Sequence, residues 1–100
     1  MAKYLVLWKV DTSRTPNVPK EIGEQWSHLT GMVKQEIKEG FIKDWGFFAD
    51  EDGAGYTILD CSKMEAMKHV HKYFPFIEWE IHSLASVDEL QELTDFIKAR

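Results

Sequence analysis

The sequence is short of several things, and each shortage excludes something. It has one cysteine, Cys61, so no internal disulfide framework can form and a reducing compartment fits. Because Cys61 closes the apolar run "YTILDC", it reads as a small residue packed at a strand end. Lys and Arg number 12 against 17 Asp and Glu, a formal charge of -5. The surplus of basic side chains that a phosphate backbone attracts is missing, and nucleic acid is set aside as a partner. The apolar opening "MAKYLVLWKVD" lasts only a few residues before Asp11 and has no small-residue cleavage site. Neither a signal peptide nor a membrane span is expected there, and the cytoplasm is the expected location. Metal-ligand spacing is absent too. His69 and His71 stand two apart in a helical segment, about 200° around the axis, and cannot grip one ion. "DEDG" lacks the spacing and terminal bidentate Glu of a calcium loop. "GAG", Gly53 to Gly55, leads into a strand rather than a helix and is no phosphate cradle.

What is present describes one globular domain. The chain has 100 residues, 44% hydrophobic and 29% charged, enough for a single core and too few for two. Four Trp, three Tyr and six Phe are many for this length. They supply more large apolar surface than one small core hides, which points to an oligomer.

The order of elements follows from local signals. "KYLVLWKV", Lys3 to Val10, is apolar on both alternating sets, as a central strand covered on both faces would be. A helix is expected from Pro19 to Glu39, with Ile22, Trp26, Leu29, Val33 and Ile37 as its apolar stripe, His28 facing solvent and Gly40 as its left-handed stop. "FIKDWGFFAD" and "AGYTILDC", separated by "EDG", read as a hairpin, with Trp45 and Phe47 on one side of the first strand and Ile42 and Phe48 on the other. Ser62 and Glu65 have capping-box spacing and start a second helix, whose expected inner face is Ala66, Met67, Val70 and Phe74 and which Pro75 ends. On that wheel His69 falls opposite the apolar face and His71 on its flank. "FIEWEIHSL" is the fourth strand. "SVDE" repeats the capping box and opens a last helix carrying Leu90, Leu93 and Ile97 on one face.

The resulting β-α-β-β-α-β order with a terminal helix matches the α+β, ferredoxin-like arrangement: an antiparallel sheet with two helices on one face. The helix-free sheet face would still carry apolar side chains. A second copy packed there through its own sheet would form a homodimer, a dimeric α/β barrel.

The segment "MEAMKHVHKYFPFIEWEIHSL" resembles the corresponding end of muconolactone isomerase and its small relatives in the dimeric α/β-barrel group. The residues that carry the likeness are Glu65, Ala66 and Met67 at the helix start, Phe74 and Pro75 at its stop, the alternating acidic and apolar strand Glu78 to Ile81, and "YTILD" before the helix. The resemblance implies a cofactor-free enzyme that shifts a proton beside a carbonyl in a small unsaturated lactone, by general acid-base catalysis. Other members of the broad fold are monooxygenases that use an Asn with Trp and His; here Asn17, in a loop, is the sole Asn, and that pattern fails.

Two readings attach to each candidate residue. Alternation sets Glu78, Glu80 and His82 opposite Ile77, Trp79 and Ile81. Charges on an edge strand serve to block pairing with other chains. Alternatively, Glu80 with His82 forms a base and proton partner inside a dimer barrel. Trp8, Trp45 and Tyr56 are either sheet core or the wall of a cavity for a small apolar, ring-shaped ligand. His71, on its helix flank, either bonds to backbone or borders that pocket. Three function classes therefore stand: an isomerase-type enzyme, a non-catalytic small-ligand or interaction module, and a dimeric scaffold whose C-terminal helix clasps its neighbour.

Overall fold

The computed structural model describes residues 2–100. Four strands form one antiparallel sheet: β1 (Lys3–Val10), β2 (Ile42–Phe47), β3 (Ala54–Asp60) and β4 (Ile77–Leu84), in the order β2-β3-β1-β4. Helices α1 (Pro19–Lys38) and α2 (Lys63–His71) cover one face, and α3 (Val87–Lys98) follows β4. The fold is α+β and compatible with the ferredoxin-like arrangement. Among the described residues no helix is long and apolar enough to cross a membrane.

Local chemistry accounts for the boundaries. Pro19 starts α1, where its missing N–H costs nothing, and Gly40 (φ 81°) releases the chain into β2. The β2–β3 turn closes with Gly53, also at φ 81°. Both helices that were expected to open on capping boxes do so: Ser62 with Glu65, and Ser86 with Glu89, each exchanging two hydrogen bonds.

Alternation along β1 sends Tyr4, Val6, Trp8 and Val10 towards the helices and Leu5, Leu7 and Lys9 to the open face. Leu59, Val6 and Cys61 are the largest of the fully buried side chains. Cys61 thus packs as a small strand-end residue, and burial pushes its thiol pKa up. Across the sheet, Trp8 pairs with Gly55 on one side and Trp79 on the other, and Phe47 lies beyond Gly55.

Three orientations differ from the sequence expectation. Ile42 shares the helix-covered face with Trp45 and Phe47, because a bulge between Ile42 and Asp44 shifts the alternation by one residue. In α1 the stripe ends at Glu36, which is buried, while Ile37 is 47% exposed. In α2 the inward residues are Ala66, His69, Val70 and, just past the helix, Tyr73, whereas Met67 and Phe74 face outwards. His69 therefore lies inside rather than opposite the apolar face. The helix is rotated to bring His69 and Tyr73 onto Glu36, so a polar contact, not the larger apolar residues, sets its orientation.

Candidate active site

Between the helices and the sheet lies an apolar cavity of about 100 Å³, space on the scale of one small ring compound. All four tryptophans of the chain, Trp8, Trp26, Trp45 and Trp79, line it. β1 supplies Trp8, α1 Trp26, β2 Trp45 and β4 Trp79, so both the sheet and a helix contribute indoles. Trp8 and Trp45 stack with centroids 5.5 Å apart, and Phe47 packs against both Trp8 and Trp26 at 6.2 and 6.0 Å. Gly55 makes this floor possible. The Trp8 ring lies directly over it, and a Cβ there would overlap both the ring and the Gly46 carbonyl.

Within these walls the indole N–H groups of Trp8 and Trp26 are buried without an acceptor among the described residues. Buried donors ordinarily find partners, and leaving one unmade costs about 1–3 kcal/mol. Both residues contribute to the cavity lining.

At one wall the cavity meets a polar cluster. Glu36 is buried in α1 and receives three donors: His69 Nδ1 at 3.0 Å and Lys72 Nζ at 3.4 Å on Oε2, and the Tyr73 hydroxyl at 2.6 Å on Oε1. The His69 ring is held between Phe41 and Tyr73, with centroids 5.5 and 5.2 Å away. Lys72 closes the outer side and lies over the Phe41 ring.

The electrostatics follow from that cage. Burial pushes the Glu36 carboxyl pKa up, but hydrogen bonds from His69 and Tyr73, with the charges of His69 and Lys72, outweigh burial and hold it below the usual value. Burial, reinforced by the Glu36 hydrogen bond, pushes the Tyr73 hydroxyl far up, so it stays protonated and donates. A carboxylate accepts only, so Nδ1–H donates to Glu36, and in the neutral imidazole the lone pair resides on Nε2. Both His69 and Tyr73 line the cavity. The cluster thus combines a buried carboxylate, an imidazole oriented by it and an apolar chamber, the components of general acid-base chemistry.

The residues singled out from the sequence divide between two faces. Trp8 and Trp45 line the cavity. Tyr56 lies on the opposite sheet face, its ring over Gly46 and its hydroxyl donating to Asp44 at 2.9 Å. That bond raises the Tyr56 pKa, with a smaller contribution from burial. Glu80 and His82 share the open face and form a pair at 2.9 Å with side chains 66% and 49% exposed. His71 is exposed at the end of α2, its ring edge-on to Trp79 at 5.1 Å, outside the cavity lining. Among the described residues no group of three or more His, Cys, Asp or Glu is placed to hold a metal ion.

Glu36 and Tyr73 escaped the sequence reading and His69 was placed on the wrong side of its helix, yet a signal for them existed. From Leu29, Glu36 is seven residues on and about 20° away around the helix, whereas Ile37 is about 80° away. A glutamate on the centre line of an apolar stripe requires a buried partner, and His69 with Tyr73 are spaced one helical turn apart to supply it. A scan against protein-family models and a search of the curated proteins found no match for the chain.

Proposed function

We propose that the chain is a cofactor-free enzyme of the isomerase type, acting on a small, flat, unsaturated carbonyl compound such as a lactone held in the tryptophan-lined cavity. The observation that carries this reading is the His69 imidazole, fixed through Nδ1 on the buried Glu36 carboxylate at the wall of an apolar chamber. In the proposed step His69 Nε2 takes a proton from the carbon next to the carbonyl, and the electron pair moves into the enolate. The same nitrogen returns the proton to a different carbon, which moves the double bond. Glu36 stabilises the transient imidazolium, and Tyr73 is a positioning residue acting through Glu36.

A second reading rests on the Glu80–His82 pair. The open sheet face carries Leu5, Leu7, Tyr56 and Ile58 half-buried, and a second copy packed there as a dimeric barrel would enclose that pair and turn it into the acid-base couple. The muconolactone isomerase resemblance favours this version. The buried free thiol of Cys61 supports a cytoplasmic setting for either.

One experiment separates them: proton exchange of an α,β-unsaturated γ-lactone in D₂O, followed by NMR with wild type, His69→Asn and His82→Asn. Asn at position 69 keeps a donor for Glu36 and removes the base. The cavity reading expects a loss of about 10²–10⁴-fold for His69→Asn and no change for His82→Asn. The converse pattern moves the chemistry to the open face. No exchange by the wild type above buffer rejects this substrate class.

A further inference from the structure

α3 leaves the body of the molecule. Ala85 and Ser86 alone separate it from β4. The molecule is drawn out to 60 × 27 × 21 Å with a radius of gyration of 16.6 Å, where a compact chain of this length has about 13 Å. The capping box at Ser86 makes α3 a well-started helix of 12 residues, yet none of its residues is buried. Val87, Leu90, Leu93 and Ile97, with Phe96 at the flank, form an apolar stripe in which every side chain is more than half exposed. Such a stripe is half of an interface.

A second exposed apolar surface lies on and just past α2. Met64 and Met67 on α2 and Phe74 just past its end are exposed and form a ridge away from the core, where Phe74 also packs on Trp79 of the free edge strand β4. Lys63, Lys68 and Lys72 belong to the same segment, against Glu65 as its one acid. α3 carries the opposite balance: Asp88, Glu89, Glu92 and Asp95 against Lys98. The two surfaces are alike in apolar character and complementary in charge, and within one chain both are left exposed.

We propose that α3 is an exchanged arm: in a two-fold dimer, each copy lays its Leu90–Leu93–Ile97 stripe on the Met64–Met67–Phe74 ridge of the other. The arrangement uses one pair of surfaces twice and closes on itself. Specific, stable interfaces begin at roughly 1,200 Å², and a two-fold exchange counts each arm-on-ridge contact twice towards it. The exchange requires neither the cavity chemistry nor the sheet-to-sheet contact described above.

Sedimentation equilibrium of the full chain at micromolar concentration tests this. Wild type is expected to be a dimer. Leu93→Glu with Ile97→Glu in α3, and separately Met67→Glu in α2, are each expected to weaken it by about 100-fold or more. These positions face solvent within the chain, and circular dichroism checks that the fold is kept. Location is read by mixing a Leu93→Cys chain with a differently tagged Met67→Cys chain and adding a short bismaleimide, Cys61 being buried; a cross-link joining the two tags is expected. A monomeric wild type overturns the proposal. So does a dimer that both sets of Glu variants leave intact but that Ile58→Lys on the open sheet face dissociates, which would leave the sheet contact alone. A monomeric, internally cross-linked Leu93→Cys, Met67→Cys double variant overturns it as well.

Discussion

At the scale of single residues, Glu36 concentrates more of the molecule's electrostatics than any other side chain described. A carboxylate in apolar surroundings is tolerated because His69, Tyr73 and Lys72 each donate to it. Glu36→Ala would leave the His69 Nδ1–H and the Tyr73 hydroxyl buried without an acceptor, and a loss of about 2–4 kcal/mol is expected, read as a lower urea midpoint. The pH dependence has a definite sign. The folded-state pKa of Glu36 lies below its ordinary value of 4.5, so in acid the unfolded chain binds the proton first. The stabilisation is fully present above pH 4.5 and is lost as pH falls through the folded pKa. Glu36→Gln should show a flatter acid limb in its stability–pH curve than wild type. The role of Glu36 is visible in the sequence only when the full 3.6-residue period is applied. Steps of four lead from Val33 to Ile37 and pass over the glutamate beside it.

At the scale of elements, what was legible was local. Capping boxes at Ser62 and Ser86, the left-handed stop at Gly40 and the Asp-Gly turn before β3 are written within a few residues each, and the helices and hairpin begin and end on them. What was not legible depends on contacts between elements. The bulge that turns Ile42 towards the helices answers to its partner strand, and the rotation of α2 answers to Glu36 on a different helix. Gly55 is the same kind of case: its reason is Trp8, far away in sequence and lying across it. Gly55→Ala should displace Trp8 from its stack with Trp45 and cost about 1–3 kcal/mol as overpacking, measured by thermal unfolding. The near-ultraviolet circular dichroism of the stacked indoles should weaken in the same variant.

At the scale of the whole molecule, the strand order β2-β3-β1-β4 follows from the element order and was within reach of the sequence. The detachment of α3 was not. An amphipathic helix presents the same pattern whether its apolar face meets its own chain or another, so periodicity revealed the stripe at Leu90, Leu93 and Ile97 and left its partner open. If association buries that stripe, folding and assembly are linked by mass action, and the thermal midpoint should rise with protein concentration. Differential scanning calorimetry over a dilution series measures this; a midpoint independent of concentration would describe a monomer.

The convergence of every tryptophan on one cavity has an optical consequence. The molecule has no indole elsewhere to supply a background, so its tryptophan emission comes entirely from the chamber beside His69. Whatever enters that chamber, or alters its polarity, will be written in the intensity and wavelength of the intrinsic fluorescence. The protein carries its own unlabelled gauge of occupancy, and a library of small carbonyl compounds can be screened against it before any reaction is assigned.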